Sequence, residues 1–197
     1  MISVRIPLLA ATALAAAIAL SACSAGATTA GGASASASSA PAASTAVFND
    51  ADVSFAMPMV DHHQQAITMA QTMLDKTGVD PRVTALAEQI KAAQGPEITM
   101  MNSWVTAWGA TATNMPGMDM STGSMTDGDM AALDTATGPA ADKLFLHQMI
   151  QHHQGAIDMA NVELKDGQNP DAQALATKII ADQTAQIKQM QDILATL

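Results

Sequence analysis

Apolar side chains recur every three or four residues in two separate stretches of the chain. Residues three and four positions apart share one face of an α-helix, so each stretch predicts a helix with one continuous apolar stripe. The first stripe contains Phe55, Met59, His62, Ala66, Met69 and Met73, and the second contains Phe145, Met149, His152, Ala156 and Met159. Each predicted stripe therefore includes a histidine.

The two stretches are copies of one another. Residues Phe55–Ala70 align with Phe145–Ala160, with the same Phe, Met, His-His, Ala-Ile and Met-Ala positions. The similarity continues downstream, where the segment from Asp80 aligns with the segment from Asn169. We interpret the chain as an internal duplication of a two-helix unit.

Residues that favour helix N-termini support this interpretation. Asp80-Pro81 and Asn169-Pro170 each place a capping residue before a proline at the first helical position. No stretch shows the alternation that is typical of strands. Short links make each helix pair an antiparallel hairpin, and two hairpins predict an all-α, ferritin-like four-helix bundle. The predicted helices cover residues 50–76, 81–109, 139–166 and 170–196.

The N-terminus has the features of an export signal. Arg5 is followed by an apolar run that ends in the sequence LSAC, with the only cysteine of the chain at Cys23. This ending resembles a lipobox, which implies cleavage before Cys23 and lipidation of its sulfur. An ordinary secretory signal with an incidental cysteine is the alternative. We expect a protein that is exported and anchored to the outer face of a bacterial cell membrane.

The sequence divides into segments of different composition. Residues 1–22 are the predicted lipoprotein signal peptide, and the Ala, Ser, Thr and Gly of 23–46 predict a flexible tether. The folded domain is then 47–197. It divides into a first repeat, a methionine-rich linker and a second repeat, at 48–110, 111–138 and 139–197. The linker is rich in Gly, Ser and Asp and shows no helical period, so we expect a long, flexible, polar loop with exposed methionines.

Charge narrows the classes of partner. The formal net charge is -10, whereas binding to nucleic-acid phosphates requires a basic face. We therefore expect no nucleic-acid partner. An acidic surface is also the ordinary solvated surface of a soluble domain, and it tolerates metal cations.

The histidines predict a metal site. Four of the five histidines form two pairs, and each pair follows a methionine in the pattern Met-x-x-His-His. Burying four histidines is costly unless they find partners. The candidate ligands are Met59, His62, His63, Met149, His152 and His153, with Met57 and His147 as extensions at equivalent positions of the two copies. The alternative is that the methionines fill the core and the histidines are structural.

The donor types favour copper. Dinuclear iron bundles use Glu-x-x-His, but methionine stands three residues before His62 and before His152, and the chain has only Glu88, Glu97 and Glu163. Imidazole with thioether suits copper, Cu(I) in particular, and zinc gains little from methionine. Further methionines are auxiliary candidates. They are Met115, Met118, Met120, Met125 and Met130 in the linker, and Met69 and Met159 in the stripes.

The doubled segments HHQQAITMA and HHQGAIDMA, with the stretch from Gly95 to Gly109, resemble the family called domain of unknown function 305. The resemblance covers about residues 48–197 and implies a ferritin-like bundle that is often exported, with copper binding in some members. The resemblance implies that the metal-binding residues are His62, His63, His152 and His153, with Met59 and Met149 beside them.

Three functions fit the sequence. The first is a lipid-anchored protein outside the cytoplasm that buffers or sequesters copper, or transfers it to or from a partner protein. The second is a metal-dependent redox enzyme, and the third is a structural or interaction module that binds no metal tightly. The first requires no catalysis, and we favour it over an enzyme.

Overall fold

The computed structural model describes residues 47–111 and 123–197, and in these ranges the protein is all-helical. The helices are α1 (Asp50–Leu74), α2 (Pro81–Ala107), α3 (Asp127–Thr135), α4 (Gly138–Asp166) and α5 (Pro170–Leu194). The predicted all-α class and the four long helices are confirmed.

The long helices begin at side chains that cap their free N–H groups. Asn49 accepts hydrogen bonds from the backbone of Ala51 and Asp52 at the start of α1. Asp80 and Asn169 cap α2 and α5 as the sequence predicts, each followed by proline. These caps fix where each hairpin turns back on itself.

The bundle is built from two hairpins. Helix α1 packs along α2, helix α4 packs along α5, and α1 packs against α4 across the middle. The core includes residues from both hairpins, such as Met69 and Met73 of α1 with Phe145 and Met149 of α4. The apolar stripes of the two copies therefore meet each other, and this meeting places the histidines inside the bundle.

Two buried aspartates tie the hairpins together at their ends. The carboxylate of Asp52 in α1 accepts hydrogen bonds from the backbone N–H groups of Gln168 (3.0 Å) and Asn169 (2.8 Å), in the link between α4 and α5. The carboxylate of Asp142 in α4 accepts one from the N–H of Asp80 (3.2 Å), in the link between α1 and α2. The duplication thus repeats a contact between hairpins as well as a helix.

The segment between the hairpins differs from the expectation of a long linker without helical structure. Helix α3 lies inside it, because Thr126 and Asp129 form a capping box at its start. Leu133 of α3 and Met125 just before it are buried in the core. The expectation was wrong for residues 123–135, where short helical signals are obscured by Gly, Ser and Asp. Among the helices of the described ranges, none is long and apolar enough to cross a membrane.

Candidate metal centre

The two histidines of the apolar stripes contact each other in the core. The rings of His62 in α1 and His152 in α4 have centroids 3.6 Å apart and are tilted by 33°. Both residues are buried, and so are Met59 and Met149, which lie nearly one turn before them on the same helix faces. The structure therefore brings two imidazoles together across the interface of α1 and α4, on faces that also carry two thioether side chains.

The second histidine of each pair contacts the other helix of its own hairpin. The Nε2–H of His63 donates to the Glu97 carboxylate in α2 at 3.0 Å, and the Nε2–H of His153 donates to the side-chain oxygen of Gln186 in α5 at 2.7 Å. A neutral imidazole with its proton on Nε2 keeps its lone pair on Nδ1. Both Nδ1 atoms are buried without a hydrogen-bond partner among the described residues.

Glu97 is a buried negative charge within this arrangement. Its carboxylate also accepts a hydrogen bond from Lys178 at 2.9 Å, and Lys178 pairs with Asp182 at 2.6 Å on the surface. Burial raises the pKa of Glu97, but the hydrogen bonds from His63 and Lys178 outweigh it and hold the pKa below its usual value. Glu97 is therefore ionised at neutral pH.

The buried histidines of α4 are neutral. Burial, with the neighbouring His62, His153 and His63, lowers the pKa of His152 well below its usual value. Burial lowers the pKa of His153 to about 4, although its hydrogen bond with Gln186 acts in the opposite direction. Neutral imidazoles are the form that binds metals.

Unsatisfied polar atoms concentrate in this region. Both ring nitrogens of His152 and the whole side-chain amide of Gln94 are buried without hydrogen-bond partners in the described part of the chain. Gln94 lies three residues before Glu97, on the same side of α2. Because orphaned buried polar atoms are costly, the donors present fit a bound cation.

The donor set fits a soft metal better than a hard one. Within residues 47–111 and 123–197, no group of three or more His, Cys, Asp or Glu side chains is arranged to hold a metal ion. A site at the His62–His152 contact would therefore need the sulfur of Met59 or Met149 to complete its ligands. Thioether sulfur favours copper in its lower oxidation state.

Residues 123–126, which we call the crossing segment, lie against this site. The Met125 N–H donates to the side-chain oxygen of Gln65 (2.6 Å), and the Gln65 amide donates back to the Met125 carbonyl (2.9 Å). A Cβ atom added to Gly123 would lie 2.5 Å from the Gly155 Cα and 3.4 Å from Nε2 of His62. Backbone from between the hairpins therefore covers the histidine contact on one side.

This segment explains a difference between the two copies of the motif. Gln65 of HHQQ and Gly155 of HHQG are equivalent positions in the repeats. Gln65 holds the crossing segment by its side chain, and Gly155, with no side chain, lets the Gly123 backbone approach. The duplication is therefore asymmetric at the site.

The remaining predicted ligands occupy different environments. Met57 is half-buried, and His147 is exposed to solvent. Met69 and Met125 belong to the core, while Met159 and Met130 pack partly buried against it. Met125 therefore does not lie exposed in a polar loop, as the sequence suggested. Cys23, Met115, Met118 and Met120 lie outside the described residues.

The sequence reading missed Glu97 and Gln186. It looked for carboxylates close to the histidines along the chain, whereas Glu97 approaches His63 from a different helix. The repeat contained the signal: Gln94 aligns with Gln183, and three residues further on Glu97 aligns with Gln186.

Comparisons with known proteins identify the family and support the fold. A family model described as "Domain of unknown function (DUF305)" matches residues 52–194. A DUF305 protein of Streptomyces coelicolor, described as secreted, is 32% identical with a TM-score of 0.68; the match covers 74% of this chain and 93% of that one. A DUF305 fragment from Deinococcus radiodurans is 30% identical with a TM-score of 0.67, covering 76% and 98%.

A third similar structure contains copper. CopM in its Cu(I)-bound form is 34% identical with a TM-score of 0.60, and the match covers 74% of this chain and 96% of CopM. CopM is also known in Cu(II)-bound and silver-bound forms. The sequence matches no curated protein.

Proposed function

The chain belongs to the DUF305 family, and we propose that it binds copper, as Cu(I), between its two hairpins. His62 and His152 would supply imidazole nitrogen, and Met59 and Met149 would supply thioether sulfur. His63 and His153 would each offer Nδ1 as a further ligand within its own hairpin. The observation that carries this proposal is the buried contact of His62 with His152, whose centroids are 3.6 Å apart.

Several features support copper as cargo. The imidazoles of His152 and His153 are neutral at physiological pH, so a cation displaces no proton from them. The similar CopM binds Cu(I), Cu(II) and silver. The ligands need no cysteine, and thioethers do not form disulfides in an oxidising compartment.

The proposed role is to buffer, sequester or transfer copper outside the cytoplasm. A lipidated Cys23 would anchor the protein, and residues 24–46 would tether the bundle to the membrane. The resemblance of LSAC to a lipobox and the similarity to a secreted DUF305 protein support this location.

The test is anaerobic Cu(I) titration against a competing chelator. The full-length chain would carry Cys23→Ser, which removes its only thiol. The test variant adds His62→Leu and His152→Leu, because apolar groups that replace a buried polar pair cost little stability. We expect this variant to stay folded by circular dichroism and to lose more than about 100-fold in affinity, beyond the typical cost of removing a group that only supports a ligand.

The matched control is His147→Leu, the same substitution at the exposed histidine of α4. This control should bind like the parent. If the folded double variant binds as tightly as the control, the His62–His152 contact is structural and the proposal fails. Loss of Cu(I) binding in the control as well would place the ligands elsewhere.

A further inference from the structure

The contacts of His63 and His153 are equivalent in the duplication but differ in charge. His63 donates to Glu97 and His153 donates to Gln186, and these two acceptors align in the repeat. Each acceptor oxygen holds its ring with the proton on Nε2 and leaves Nδ1 to face the interior. The geometry is conserved between the hairpins, so the carboxylate is the element that distinguishes them.

A carboxylate does more for a bound cation than an amide does. A charged acceptor on Nε2–H increases the basicity of the opposite ring nitrogen, and such partners tune metal affinity. A negative charge in a low-dielectric interior also attracts a cation more strongly than it would in water. Glu97 is 6% exposed, so solvent screens its charge little on the side of His63.

The counter-charge of Glu97 lies toward solvent. Lys178 contacts the second carboxylate oxygen, and 54% of its side chain is exposed. Lys178 is shared with Asp182, which it contacts at 2.6 Å, so one cation lies between two carboxylates and their group keeps a net negative charge. The buried side of the site therefore has a net negative partner in the first hairpin and a neutral one in the second.

We propose that Glu97 belongs to the metal site as the charged partner of His63 and makes the first hairpin its tighter half. The cation engages His63 first, and His153 with its neutral Gln186 forms the weaker half, from which the cation leaves. This inference rests on the proposed function. Glu97 acts through His63, so it is a positioning and charge-balancing residue.

The experiment follows the side-chain nitrogen resonances of the histidines by NMR during anaerobic Cu(I) addition, using the full-length chain with Cys23→Ser. At half an equivalent of Cu(I), we expect the His63 ring signals to shift while those of His153 remain. In the spectrum recorded before copper is added, the rings of His63 and His153 should both carry their proton on Nε2. Parallel shifts of His63 and His153 in this parent would overturn the proposal.

The test variant is Glu97→Gln, which keeps the hydrogen-bond acceptor and removes the charge. We expect both rings to keep their Nε2 protons and the affinity for Cu(I) to fall about 10–100-fold. The order of engagement, in which His63 shifts before His153, should disappear. A purely structural role of Glu97 would leave the order of engagement unchanged in this variant, and that result contradicts the proposal.

Two further variants separate the charges. Gln186→Glu should strengthen Cu(I) binding at His153 and should also make the His63 and His153 rings shift together. Glu97→Gln with Lys178→Gln removes the lysine charge as well, and the order should remain lost. If the order returns in this double variant, the lysine charge had caused its loss and the proposal is wrong.

Failure of the proposal and failure of the proposed function are distinguishable. If the parent binds no Cu(I), the proposed function itself fails. If the parent binds Cu(I) and the Glu97→Gln variant matches it in both order and affinity, only the assignment of Glu97 fails.

Discussion

A buried carboxyl group that takes no part in the metal site makes the stability of the fold depend on pH. Glu163 of α4 is fully buried beside Asp52, whose carboxylate already accepts N–H donors from Asn49, Gln168 and Asn169. Burial, and then the hydrogen bond and charge of Asp52, raise the pKa of Glu163 to about 8. Glu163 therefore keeps its proton at neutral pH.

This proton makes the folded state less stable at higher pH. The unfolded chain releases it near the ordinary pKa of 4.5 and the folded chain near 8, so the folded state binds more protons between these values. The free energy of unfolding must then fall as pH rises through that window, by on the order of 1 kcal/mol per pH unit. Glu163→Gln, which has nearly the same shape and no proton to release, should remove this decline in urea unfolding between pH 6.5 and pH 8.

The control for this substitution is Glu88→Gln at an exposed position of α2. It should show the same decline as the parent. A Glu163→Gln protein that loses stability over this interval as steeply as the control would show that Glu163 is ionised in the folded state.

The depressed pKa values of the α4 histidines predict that these two rings stay neutral in mild acid. Since His153 has a pKa of about 4 and the pKa of His152 also lies well below 6.5, neither ring should gain a proton between pH 7 and pH 5.5. The ring nitrogen signals of both residues should therefore stay unchanged over this interval in NMR spectra of the copper-free protein. A shift of either ring toward the protonated form would instead indicate the ordinary histidine pKa.

At the scale of elements, the crossing segment is expected to slow exchange of the metal. Gly123 has a φ of +74° and a backbone in contact with Gly155. Gly123→Ala therefore combines the strain of a left-handed residue, about 1–2 kcal/mol, with a collision against helix α4 that costs about 1–3 kcal/mol more. The segment should detach, and stopped-flow transfer of Cu(I) to a chelator should become faster.

Gly78 offers the matched control, because it has the same φ of +74° with nothing within 4 Å of an added Cβ. Gly78→Ala should lose stability from backbone strain alone and release Cu(I) at the parental rate. Equal stability loss and equal release rates in the two variants would mean that the crossing segment does not obstruct the site.

The four long helices could be predicted because each shows a long apolar period and, in two cases, an Asp-Pro or Asn-Pro start. Helix α3 could not, since nine residues with one buried leucine carry too little periodicity. The stripe placed His62 and His152 on apolar faces. Their mutual contact, and that of His63 with Glu97, depends on how helices far apart in sequence pair, which local patterns do not determine.

At the scale of the whole molecule, the site exists only where the two hairpins meet. His62 belongs to the first hairpin and His152 to the second, and the surrounding core draws on both. Asp52 and Asp142 reinforce this pairing by each binding the link of the opposite hairpin. Folding and formation of the metal site should therefore be coupled across the duplication.

This coupling predicts that two fragments, 47–111 and 123–197, complement each other. Each alone exposes the apolar face that the other covers and should show reduced helicity and weak Cu(I) binding. Mixed, they should associate and restore helicity by circular dichroism and Cu(I) affinity to within about tenfold, because a lost covalent link costs mainly the entropy of association. A second fragment with His152→Leu should still associate but should not restore the affinity. If monomeric 47–111 alone, with its size verified in solution, binds Cu(I) as tightly as the mixture, one hairpin suffices and the shared site between hairpins is wrong.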